Sequence, residues 1–136
     1  MVEEAREVRA AMTHLDASFI VRSLDPALPE SRRLREWIKE GAAVGVSSVA
    51  WAEFMCGPVE QIEVDQVLAV VKEPVPLVRA DAEAAAQLFN ATGRRKGSLA
   101  DCMIAAIALR VGASVATADT KDFTRFTKAG LRVVTA

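Results

Sequence analysis

Four carboxylates, Asp16, Glu53, Asp101 and Asp119, each lie beside apolar sequence. Their settings are Thr13-His14-Leu15-Asp16, Val49-Ala50-Trp51-Ala52-Glu53-Phe54, Ala100-Asp101-Cys102-Met103-Ile104 and Val115-Ala116-Thr117-Ala118-Asp119. Ionised side chains are almost never buried unless paired. Two carboxylates about 4 Å apart repel by roughly 4 kcal/mol at an effective dielectric near 20. A fold that gathers several must protonate some, pair them with bases or bind a cation. Hard oxygen donors without a cysteine or histidine cluster favour Mg²⁺ or Mn²⁺ over zinc. Such an ion suits phosphoryl chemistry: it lowers the pKa of bound water, clamps a phosphate and neutralises developing charge.

Each acid also has an ordinary structural role open to it. Asp16 can cap the helix that starts near Ser18. Ser98-Leu99-Ala100-Asp101 fits the capping-box pattern, although Asp101 shares a helix face with Ile104, Ala105 and Ala108. Glu53 can occupy an exposed helix face, and Asp119 can begin an Asx turn with Thr120 and Lys121. No single acid is specific; their joint placement favours one site. Asp122 offers a fifth acid, ranked below Asp119 because it lies farther from the preceding strand. Ser18 and Thr117 supply hydroxyls able to bond the ligating carboxylates.

Other chemistries find little support. The one histidine, His14, falls in the first strand, where packing is its expected role, and it would have to serve any Ser/His/Asp set alone. No phosphate loop of the GxxxxGK[ST] type occurs. Cys56 and Cys102 are too few for a disulfide framework or a thiolate zinc site, and both read as buried helical thiols. No apolar run is long enough to span a bilayer, and residues 1–11 lack the apolar centre of a signal peptide. A cytoplasmic protein is the expectation. Seventeen basic against eighteen acidic side chains give a formal net charge of −1, so any nucleic-acid surface must be local.

The elements that must position these acids alternate between strand and helix. Short strands are expected at residues 12–15, 42–47, 114–118 and 131–134. A further one at 75–78 is demoted to the sheet edge by Pro76. Helices are expected at 18–24, around Leu34, Trp37 and Ile38, from Ser47 or Ser48 to Gly57-Pro58, and at 59–72, 81–91, 98–111 and 121–126. Residues 1–11 stand outside this scheme as a charged extension. Such alternation in 136 residues implies an α/β domain over 12–136, with a central, mainly parallel sheet of about five strands flanked by helices. Ligands bind beyond the carboxyl ends of such strands, a rim that all four acids can reach.

Four motifs in this order resemble the PIN-domain family, specifically the VapC toxins of VapBC toxin–antitoxin systems. They are Leu15-Asp16-Ala17-Ser18 with Phe19-Ile20-Val21, Ser47-Ser48-Val49-Ala50-Trp51-Ala52-Glu53-Phe54, Gly97-Ser98-Leu99-Ala100-Asp101-Cys102-Met103-Ile104-Ala105-Ala106, and Ala116-Thr117-Ala118-Asp119-Thr120-Lys121-Asp122-Phe123. The likeness spans about residues 12–136. It implies a Mg²⁺- or Mn²⁺-dependent endoribonuclease with Asp16, Glu53, Asp101 and Asp119 as the acidic site. It also implies homodimers and a VapB-like antitoxin that inserts a segment near that site. Relatives often carry Asn at the place of Asp119, followed by the Asp matching Asp122. The division of labour between those two positions is therefore open.

The expected mechanism is in-line attack on an RNA phosphodiester by water that the ion activates. Arg94, Arg95 and Lys96, in the basic turn at residues 93–97, are candidates for holding flanking phosphates. Two other classes compete. A PIN-fold binding protein without turnover would use the acids only to organise the rim. A Mg²⁺-dependent phosphoacceptor receiver domain would need an acidic pair by the first strand, where Asp16 stands alone.

Overall fold

The computed structural model describes residues 12–93 and 99–136. The chain runs β1 (Thr13–Leu15), α1 (Ala17–Ser23), α2 (Pro29–Lys39), β2 (Val44–Gly45), α3 (Ser48–Met55) and α4 (Gln61–Val71). It continues through α5 (Arg79–Ala91), α6 (Leu99–Val111), β3 (Ser114–Ala116), 3₁₀ turns at Thr120–Asp122 and Thr124–Ala129, and β4 (Val133–Val134). Residues 1–11, expected as an extension, and Arg94, Arg95 and Lys96 lie outside the described residues.

The strands form one parallel sheet in the order β2-β1-β3-β4. Thr13 pairs with both Val44 and Ser114, and Ala116 pairs with Val134. The architecture is the α/β sandwich expected, with four strands among the described residues where about five were anticipated. The fifth is reduced to one parallel bridge between Ser47 and Val75. Val75 donates to the Val46 carbonyl and accepts from Ser48, but Pro76 has no N–H to extend the ladder.

All three residues of β1 and of β3 are buried, as strands covered on both faces should be. Phe19, Ile20, Phe54, Ile104, Val115, Phe123 and Phe126 fill the core around them, and Phe19 stacks on Trp37 at 5.6 Å. His14 is buried between the layers, with no hydrogen-bond partner for either ring nitrogen among the described residues. Burial, with Arg110 nearby, lowers its pKa to about 4, so it packs as a neutral ring. A Cβ at Gly45 would sit 3.2 Å from that ring, tighter than ordinary contact, so the ring would have to give by a few tenths of an ångström.

Helix α2 ends in a Schellman motif. Ala42 donates to the Trp37 carbonyl and Gly41, at φ +74°, to that of Ile38. Cys102 is buried as expected, whereas Cys56 is exposed, because it sits at the cap of α3 where the helix leaves the core. No helix among the described residues is long and apolar enough to cross a membrane.

Candidate active site

Because the sheet is parallel, β1, β2 and β3 deliver their following residues to the same rim. Asp16 comes directly after β1 and is 6% exposed. Its Oδ1 accepts from the Phe19 backbone N–H at 2.9 Å, which caps α1, and from Ser18 Oγ at 2.7 Å. Its Oδ2 accepts from Thr117 Oγ1 at 2.6 Å, across from the end of β3. An ionised carboxylate has about four lone-pair positions, so these three bonds leave one for a ligand. Both hydroxyls are themselves fixed: Ser18 Oγ accepts from Ala118 N–H and Thr117 Oγ1 from Asp119 N–H. Capping and site placement thus coexist at Asp16.

Glu53 projects from α3, whose start is set by Ser47 accepting from the Ala50 N–H at 3.0 Å. Asp101 lies in the first turn of α6, half-buried, with the Arg125 guanidinium 3.5 Å from its Oδ2. Ser98, its expected capping partner, lies outside the described residues.

The charges of these acids act on one another. Burial raises the Asp16 pKa against three hydrogen bonds that oppose it, with Asp122 adding to the rise. Burial, then Asp16 and Asp122, raise that of Glu53. Asp101 is pushed up to about 7 by burial, Asp122 and Glu53, against the pull of Arg125. Asp122 is therefore common to all three shifts.

Asp119 is exposed and contributes to none of these shifts; its backbone N–H instead anchors the Thr117 hydroxyl. The geometric reason lies in the turn. Asp119 precedes the first 3₁₀ helix with an extended backbone, φ −124° and ψ 89°, whereas Asp122 closes that helix by donating its N–H to the Asp119 carbonyl. Both side chains are exposed, and Asp122 lies one 3₁₀ turn further along the chain than Asp119.

Arg125 was not singled out from the sequence. It is 12% exposed and lies 4.6 Å over the Phe126 ring, so apolar contacts as well as Asp101 position it. The available signal is its spacing, three residues after Asp122 in a segment of 3₁₀ turns.

Among the described residues, no three Asp, Glu, His or Cys side chains already converge to ligating distance. The acids share an electrostatic environment, and their all-oxygen donor set fits a hard divalent cation. Gathering carboxylates that raise one another's pKa is the arrangement such an ion relieves.

The PIN domain family model matches residues 14–129, which contain all five acids. The chain belongs to the PIN-domain family. No curated protein sequence matches it. Among solved structures, this PIN domain is similar to a chain of VapBC2 from Rickettsia felis, solved bound to a DNA fragment from their promoter. That likeness has a TM-score of 0.73 and 18% identity, over 92% of this chain and 98% of that one. FitAcB from Neisseria gonorrhoeae gives 0.66 and 25%, over 90% and 96%. VapBC-5 from Mycobacterium tuberculosis, a member of the VapBC family of toxin–antitoxin systems, gives 0.59 and 25%, over 93% and 99%. The resemblance to VapC-type PIN domains read from the four motifs is thus met in fold and family.

Proposed function

We propose that this PIN domain is a divalent-metal-dependent endoribonuclease and the toxin of a toxin–antitoxin pair. One observation carries the reading: Asp16, Glu53 and Asp101 all have raised pKa values, and Asp122 acts on each. Asp16, Glu53, Asp101 and Asp122 would hold Mg²⁺ or Mn²⁺, with Asp119 supporting them through its backbone bond to Thr117. When bound, the ion supplies Lewis acidity toward the phosphate and lowers the pKa of water.

The chain's own groups divide the remaining work. Asp16, held by three donors, is the fixed member of the set. Asp101, its pKa pushed up to about 7, would hold the ion as the carboxylate and release its proton to solvent. Glu53, the more exposed acid with a raised pKa, is suited to accept the proton of attacking water. Ser18 and Thr117 hold Asp16 in register with β3. Arg94, Arg95 and Lys96 remain candidates for flanking RNA phosphates. Similarity to chains from VapBC and FitAcB structures supports a VapB-like antitoxin as partner. Homodimerisation and a cytoplasmic setting accompany this assignment.

Purified protein is expected to cut single-stranded RNA with Mg²⁺ or Mn²⁺ and to stop in EDTA. Asp101→Asn should lower cleavage by about a thousandfold, some 4 kcal/mol of barrier, while the circular dichroism spectrum is unchanged. A folded Asp101→Asn protein with full metal-dependent cleavage would overturn the assignment.

A further inference from the structure

Beside the acid cluster, between the last turn of α5 and the second 3₁₀ helix, lies an open pocket of about 440 Å³. Leu88, Ala91 and Thr92 form one wall, and Arg125, Lys128 and Ala129 the other. The volume lies within the range of small-molecule sites, roughly 300–1,000 Å³. The Thr92 hydroxyl is already spent, donating to the Leu88 carbonyl at 2.8 Å. The charged groups among the lining residues are two cations, with no acid between them.

These cations differ in a useful way. Arg125 is held by Asp101 and by the Phe126 ring, so its guanidinium presents a fixed charge at little further entropic cost. Lys128 is exposed and free to adapt. Leu88 and Ala91 opposite them, with Ala129 beside them, offer an apolar surface that a bare inorganic anion would leave uncovered. A ligand that fills the site needs both a phosphate and a flat apolar body. A nucleotide within a single strand has both. Arg125 faces the pocket and Asp101 at once, so the phosphate bound here lies close to the one at the acids.

We infer that this pocket is an RNA subsite for a nucleotide next to the cleaved bond. Arg125 and Lys128 take its phosphate, and Leu88, Ala91 and Ala129 receive its sugar and base. The inference rests on the ribonuclease reading for its substrate class.

The test is the anisotropy of a fluorescent, single-stranded 2′-O-methyl RNA decamer, with Ca²⁺ replacing Mg²⁺. Lys128→Glu should weaken binding about tenfold and reduce the slope of log K against log salt by roughly 0.7, one phosphate contact on a single strand. Ala91→Trp, which fills the pocket without touching a charge, should weaken binding as much while keeping the slope. Lys39→Glu on α2 makes the same charge change outside the pocket and should leave affinity within about twofold of wild type, well below the 1.4 kcal/mol of a tenfold change.

Thermal melts establish that each variant is folded. Wild-type affinity in folded Lys128→Glu or Ala91→Trp protein overturns the subsite, as does equal weakening by Lys39→Glu. A wild type that binds the decamer through this pocket but cuts no RNA with Mg²⁺ or Mn²⁺ ends the nuclease reading and the link to a cleaved bond, and keeps the pocket as an RNA-binding site. A wild type that cuts RNA while both pocket variants bind normally does the reverse.

Discussion

Asp81 and Asp101 are both acids in the first turn of a helix, and each has an arginine, yet their ionisation goes opposite ways. Asp81 accepts from Arg110 Nε at 2.8 Å and from the Val78 N–H at 3.0 Å, while Arg110 Nη2 also reaches the Pro76 carbonyl. Burial pushes the Asp81 pKa up, but the bonds from Arg110 and Val78 outweigh it and leave the pKa below its usual value. Asp101 meets Arg125 at 3.5 Å and is surrounded by Asp122, Glu53 and Asp16. An arginine at contact distance is therefore not what sets the direction of an acid's pKa shift. The remaining charge balance is: Asp81 is neutralised where it stands, whereas the Asp101 neighbourhood still lacks positive charge.

The largest effect that tests this contrast is on activity. If charge that reaches Asp101 marks the working acids, Asp122→Asn should cut kcat/KM on labelled RNA by about a hundredfold, near 2.7 kcal/mol. Asp119→Asn should cost less than about tenfold. The reverse ranking would return Asp119 to the place that the strand end suggests.

Stability of the metal-free protein is next in size. A carboxyl whose folded pKa exceeds its unfolded one binds more protons when folded. The contribution of Asp101 is therefore fully present below about pH 4 and lost as the pH rises through about 7. Asp101→Asn should flatten that decline in urea titrations and stabilise the metal-free protein at pH 8 by about 1–2 kcal/mol. Adding Mg²⁺ should recover most of the loss in the wild type and little in the variant. A decline equally steep in both would place the unfavourable charge elsewhere.

Asp81 should behave with the opposite sign and an effect no larger. Its lowered pKa contributes stability that is present above the unfolded value and lost as pH falls. Asp81→Asn should destabilise by roughly 1–2 kcal/mol, mainly through the weakened cap and the charged hydrogen bond. Cleavage per folded molecule should not change. A loss of cleavage at constant fold would mean that the two ends of α6 are not independent.

Much of the layout was legible because parallel strands and their crossover helices leave strong periodic marks. Residues 12–15 and 114–118 read as short strands, and Pro76 marked the sheet edge. What escaped was set by tertiary geometry. Residues 121–126 have helical composition, but they form two 3₁₀ turns at Thr120–Asp122 and Thr124–Ala129, and that tighter winding sets how Asp119 and Asp122 are spaced. Cys56 reads like Cys102 by local composition. Only the direction in which α3 leaves the core separates an exposed thiol from a buried one. Apart from its spacing from Asp122, nothing local marks Arg125, since Asp101, the acid it meets, is 24 residues away in the chain.

The Thr117-to-Asp16 hydrogen bond joins residues 101 apart in sequence. Synthesis proceeds from the amino end, so the ribosome releases Asp16, Glu53 and Asp101 well before their last partners. Until the stretch through Arg125 has emerged, Asp16 lacks the donor that fixes its Oδ2, and the rim lacks both Asp122 and the guanidinium beside Asp101. The unfinished polypeptide therefore carries three of the acids without the neighbours that set their charge, and assembly of that acidic rim is among the late events in the birth of the molecule.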